Sequence, residues 1–227
     1  NYRIFIVLED YRSYIVESAK LLYKYDNYRT TVCTRRCATT YEGQRSNNNT
    51  SFRLTRSTRS RVHQLLNKYK EQQLGNKHFE DRRLLKDLPS LSTDYEDWIM
   101  MTDWERLQAA LGNLKIYWEM LERKRKQLEK EQMSRHSSLS QSIRHIQLDL
   151  RDLMNRVSNQ MTQMRSSWKK PTFPSAQISL DTENSSMTAW DRRVEGYIIL
   201  RDLDLYLTKL ARDFLLLASN HKDDSVL

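Results

Sequence analysis

The sequence predicts an all-α fold, a four-helix bundle running up-up-down-down. Apolar residues recur at helical spacing in a weak stretch at about residues 52–74 and in three strong ones at about 103–131, 138–166 and 188–219. The gaps between them run long, short, long: about 28 residues (75–102), about six (132–137) and about 21 (167–187). A helix of 25 residues is roughly 37 Å long. A link of about six residues can only reverse the chain. A link of about 20 or more can run the length of a bundle and start the next helix parallel to the last, as in the growth-hormone topology. Glycine (4) and proline (3) are scarce, and Pro89, Pro171 and Pro174 all fall in the two long gaps.

Helix A has a thin stripe of Leu54, Val62, Leu65 or Leu66, and Tyr69. Gly75 follows it, where a left-handed cap is wanted. The A–B loop holds Phe79, Leu84, Leu85, Leu88, Leu91, Tyr95 and Trp98, so it is expected to pack along the bundle. Helix B opens with Thr102-Asp103-Trp104-Glu105, a capping box, and continues through Leu107, Leu111, Leu114, Trp118, Leu121 and Leu128. Its run Glu122-Arg123-Lys124-Arg125-Lys126 reads as a solvated helix end near the short turn.

Helix C starts at a second capping box, Ser138-Leu139-Ser140-Gln141. It carries the cleanest stripe: Leu139, Ile143, Ile146, Leu150, Leu153, Val157, Met161 and Met164. These methionines read as packing. Helix D begins near Thr188 with Trp190 in its first turn, then Tyr197, Leu200, Leu203, Leu207, Leu210, Phe214 and Leu217. Gly112 and Gly196 lie inside helices at about 1 kcal/mol each against alanine, which close packing or a partner would explain.

The formal charge of +9 is unevenly placed. Residues 1–61 hold 12 Lys/Arg and 5 Asp/Glu, and residues 62–227 hold 26 and 24. The domain is thus expected at 52–227, behind a basic, partly flexible arm at 1–51. Such an arm can bind nucleic acid, a heparin-like chain or nothing, and a solvated tail is the plainer reading. Cys33 and Cys37 lie in that arm, too few for a metal site by themselves. Asn48-Asn49-Thr50 and Asn184-Ser185-Ser186 are glycan acceptors if the chain is secreted, and both fall in segments read as non-helical. No stretch approaches the roughly 18 apolar residues of a spanning helix. The chain begins without methionine, so the lack of a secretion signal within it does not place it in the cytoplasm.

Catalytic signatures are missing. There is no glycine-rich phosphate loop, no G-x-S-x-G and no H-E-x-x-H, and His63, His78, His136, His145 and His221 share no ligand spacing. No enzyme, cofactor or metal is expected. An intracellular helical adaptor or nucleic-acid-binding coiled coil is the competing class. A DNA-binding zipper, however, needs one basic helix running into leucine heptads, and helix B ends its charge run at a turn.

Two stretches resemble a known family. Leu91-Ser92-Thr93-Asp94, Trp98 and Thr102-Asp103-Trp104-Glu105-Arg106-Leu107-Gln108 resemble the A–B loop and helix B start of the interleukin-6 family of long-chain cytokines, in the branch of leukaemia inhibitory factor, ciliary neurotrophic factor and cardiotrophin-like cytokine. Trp190-Asp191-Arg192-Arg193-Val194-Glu195-Gly196 resembles the start of helix D there. The likeness covers about residues 52–219.

It implies a secreted signalling protein, monomeric until receptors bind, with no nucleic acid and no membrane insertion. Faces of helices A and C would meet glycoprotein 130: Arg56, His63, Asn67 and Glu71 on A, and Gln141, His145, Asp152, Asn155 and Asn159 on C. The start of helix D, with the A–B loop, would meet a leukaemia inhibitory factor receptor-like chain, with ciliary neurotrophic factor receptor alpha as a further candidate. There the family uses a phenylalanine and, three residues on, a lysine, positions matched by Trp190 and Arg193. An aromatic and a cation are kept, although arginine and lysine differ in geometry. The plainer role for Trp190 is to cover the bundle end.

Overall fold

The computed structural model describes residues 35–92, 95–131, 138–165 and 187–220. The bundle lies in the unit of residues 41–227. Among the described residues the elements are α1 (Arg35–Gln73), α2 (Tyr95–Met100), α3 (Asp103–Glu131), α4 (Ser138–Arg165) and α5 (Ala189–Asn220), with no strand. Helices A, B, C and D of the sequence are α1, α3, α4 and α5. The expectations for Cys33, His136, Asn184 and His221 lie outside the described residues.

Pairwise contacts fix the direction of each helix. Tyr69 and Arg59 of α1 meet Arg193 and Asp204 of α5, so α1 and α5 are antiparallel. Asn48 and Arg61 of α1 meet Gln160 and Asp149 of α4, so α1 and α4 are antiparallel as well. Arg106 and Lys124 of α3 meet Asp213 and Glu195 of α5, again antiparallel. Hence α1 parallels α3 and α4 parallels α5, the up-up-down-down bundle that the gap lengths predict.

The core follows the stripes. Leu139, Ile143, Ile146, Leu150, Leu153 and Val157 of α4 are fully buried with Leu203, Leu207, Leu210 and Phe214 of α5. On α3 the buried face is Leu107, Ala110, Leu114, Tyr117, Leu121 and Leu128, while the predicted Leu111 and Trp118 only flank it. Tyr117 stacks on Tyr206 at 5.2 Å between centroids. The capping box of α3 forms as expected: the Thr102 amide donates to Glu105 Oε2 (2.9 Å), and the Glu105 amide donates to Thr102 Oγ1 (3.2 Å). Gly75 takes φ 66° behind α1, the left-handed cap.

Four expectations need correction. The first is the start of helix A, since α1 begins at Arg35 and not near 52. Between Asn48 and Thr55 some of the buried contacts are polar, which an apolar stripe does not register: Gln160 Nε2 donates to a buried Asn48 Oδ1 (2.9 Å), and Thr55 donates back to the Ser51 carbonyl (2.8 Å). The second correction follows. Asn48, read as lying in a non-helical segment, is helical and 4% exposed.

Third, Lys124 is not solvated: it is 4% exposed. Fourth, the A–B loop packs only in part. Phe79, Leu85, Leu88 and Leu91 lie against the core, but Leu84 stands 79% exposed.

Candidate functional site

The start of α5 is built from three segments. Thr188 caps it: its hydroxyl donates to Asp191 Oδ2 (2.6 Å) and accepts from the Asp191 amide (3.1 Å). Two of the next three charged residues are tied down. Asp191 faces Arg83 of the loop at 3.6 Å, and Arg192 faces Glu131 at the end of α3, also at 3.6 Å, while donating to the Met187 carbonyl. The capping bonds and Arg83 hold the Asp191 carboxyl below its ordinary range. Arg193 points outward, exposed, with no ion-pair partner among the described residues.

Beneath this turn the packing is tight. Tyr69 of α1 donates to the Arg193 carbonyl (3.0 Å), and Lys124 Nζ of α3 donates to the Arg192 carbonyl and to Gln127 (3.0 Å). A Cβ on Gly196 would overlap the Tyr69 hydroxyl and Lys124 Cε. Close packing thus explains Gly196, and it places a helix of each neighbour directly under the site. Gly112 has nothing within 4 Å of such a Cβ, so crowding does not account for it. Burial pushes the Lys124 ammonium down to about 8, against the pull of Glu195 and Glu131.

Trp190 stands on this platform, 47% exposed. Phe79 of the A–B loop props it edge-on, 6.0 Å between centroids, and meets Tyr197 edge-on at 5.1 Å. Arg201 clamps the same loop to α5 by donating to the carbonyls of Asp81 and Arg83, the second at 2.9 Å. The result is a half-exposed ring with an exposed cation three residues on, on one face of a capped helix start. An amphipathic ring beside an exposed guanidinium is the composition of an interface anchor.

The family model described as ciliary neurotrophic factor matches residues 37–226. The chain belongs to the ciliary neurotrophic factor family. It is therefore a cytokine of the interleukin-6 family, in the branch of ciliary neurotrophic factor and leukaemia inhibitory factor, and not an enzyme. Such a family implies binding to cytokine receptors. No single curated protein matches the chain. None of the described helices is long and apolar enough to cross a membrane.

The second predicted patch of this cytokine lies at exposed positions of α1 and α4. Arg56, His63, Asn67, Glu71, Gln141, His145, Asp152, Asn155 and Asn159 are all exposed. Successive helical residues turn by about 100°. Arg61 reaches Asp149 on α4, whereas His63, two residues on, lies 3.8 Å from Asp204 on α5. Arg56, His63 and Asn67 therefore line the α5 side of α1. Gln141, His145, Asp152 and Asn159 lie on the α4 flank that turns toward α1, and Asn155 points away from the bundle.

On α1, Arg61 reaches α4 through Asp149, and Ser57, Gln64 and Lys68 share its side of the helix by spacing. Below them Asn47, Ser51, Arg156, Asn159, Gln160 and Gln163 line a cleft of about 250 Å³. Sequence reading missed Phe79 as a prop for Trp190, because one loop aromatic has no periodicity to reveal its partner.

Proposed function

We propose that this cytokine is secreted and signals by joining two receptor chains, glycoprotein 130 and a leukaemia inhibitory factor receptor-like chain, so that their cytoplasmic kinases activate each other. The Trp190 platform carries the reading. Its ring is too exposed to serve mainly as core, and Phe79 and Arg201 hold it in one place, so a receptor pocket meets a pre-ordered anchor. Arg193 supplies a cation at the rim. The exposed residues of α4 that flank α1, with Ser57, Arg61, Gln64 and Lys68, are the surface proposed for glycoprotein 130.

The test is binding of the secreted chain to immobilised ectodomains of glycoprotein 130, the leukaemia inhibitory factor receptor and ciliary neurotrophic factor receptor alpha. Trp190→Ala, paired with Arg193→Ala, is expected to leave the melting transition in place and to weaken capture by one chain by more than ~2 kcal/mol, or about 30-fold. Undiminished capture by the folded double variant would remove the site. No capture of the unaltered chain by any ectodomain would remove the receptor assignment.

A further inference from the structure

A second surface lies on α1, away from the Trp190 platform. Between residues 51 and 61 the exposed positions are Arg53, Arg56, Ser57, Arg59, Ser60 and Arg61, and nothing else. Four guanidiniums thus stand along about 12 Å of helix, separated only by two small hydroxyl side chains, with no acidic residue in the run. Arg59 and Arg61 are steadied by Asp204 (3.4 Å) and Asp149 from the helices on either side. Their side chains remain 47% and 51% exposed, so each still has donors to offer. Arg53 and Arg56 have no ion pair among the described residues, and Arg56 lies over the Phe52 ring at 5.6 Å.

We propose that this face binds a sulfated polysaccharide chain. The inference rests on the reading of the cytokine as an extracellular protein. Guanidinium forks match the planar, multiply accepting oxygens of sulfate better than ammonium does. Serine between the arginines leaves room for a chain to lie flat across them. A repeating polyanion releases counterions when several such groups engage it at once, so weak single contacts sum to useful affinity.

Nucleic acid fits the same charge less well. Single strands are held by rings on which bases stack. The run offers no exposed ring, because Phe52 is half-buried with Arg56 over its face.

The experiment uses the full chain with no receptor present, so its result is independent of the receptor assignment. Binding is measured to a heparin dodecasaccharide, to the same oligosaccharide stripped of sulfate, and to a single-stranded RNA of similar charge. The expected result is saturable heparin binding at near-physiological salt that is lost on desulfation. Arg53→Ser/Arg56→Ser should weaken it about tenfold and reduce its salt slope by about one to two charges. Both residues are exposed and without ion pairs among the described residues, so this variant should keep its melting transition.

Lys115→Ser/Lys130→Ser removes the same charge from α3 and should leave heparin binding within about twofold. Three results would each overturn the proposal: no heparin binding, equal losses in the two double variants, or tighter binding to RNA than to heparin.

Discussion

Replacing Asp213 by alanine should unfold this bundle more readily than almost any surface change. Arg106 is buried, its side chain 1% exposed, and Asp213 answers its charge at 2.9 Å. The same carboxylate accepts from Trp98 Nε1 (2.6 Å), and Arg106 in turn donates to the carbonyls of Trp98 (2.6 Å) and Met101 (3.3 Å). Burial pushes the Asp213 carboxyl up, while Trp98 and Arg106 hold it down. Truncating one member strands a desolvated guanidinium, which costs about 3–5 kcal/mol. A domain of this kind holds only about 5–15 kcal/mol in total.

Arg106→Met/Asp213→Leu removes both charges and keeps most of the volume. It forfeits the bonds to Trp98 and Met101 but strands no charge, so it should fall within about 2 kcal/mol of the unaltered chain. Urea unfolding followed by circular dichroism, with the slope checked for two-state behaviour, reads both values. The reasoning fails if Asp213→Ala costs under ~1 kcal/mol, or if the double variant loses as much as the two single variants summed.

Two further outcomes follow from the platform. Gly196→Ala should cost about 1–3 kcal/mol through overlap with Tyr69 and Lys124, whereas Gly112→Ala, in open space, should gain about 1 kcal/mol; melting curves of the pair decide it. Lys124 keeps a lowered pKa of about 8 when folded, against 10.5 ordinarily, so between those values the unfolded chain holds a proton that the native one gives up. Stability should therefore rise with pH, by about 1–2 kcal/mol from roughly pH 8 to 9.5, and Lys124→Met should flatten that rise in denaturant titrations.

The bundle was legible because α4 and α5 keep unbroken stripes and because gap lengths constrain direction. The turns of α1 around Asn48 were not, since Asn48 and Thr55 are buried with hydrogen-bond partners that hydrophobic periodicity cannot register. Lys124 was misplaced for a related reason: it sits in a run of charges, and only the nearness of Gly196 on α5 shows that its stem is enclosed. Of the candidate site, Trp190 and Arg193 came from resemblance. The flank on which the α1 patch lies was not legible, because a single helix shows which residues face outward but not which neighbour stands on which side.

The clamp between the A–B loop and α5 has a consequence for how tightly this cytokine could bind at all. A loop that ordered itself only on meeting a receptor would lose conformational freedom at that moment, and affinity would fall accordingly. Here Phe79 and Arg201 impose that loss when the chain folds. The entropy is surrendered before any partner arrives, and the encounter can be fast and close to rigid-body. Residues that never touch a receptor would then set part of the affinity, through the fraction of time the loop is seated.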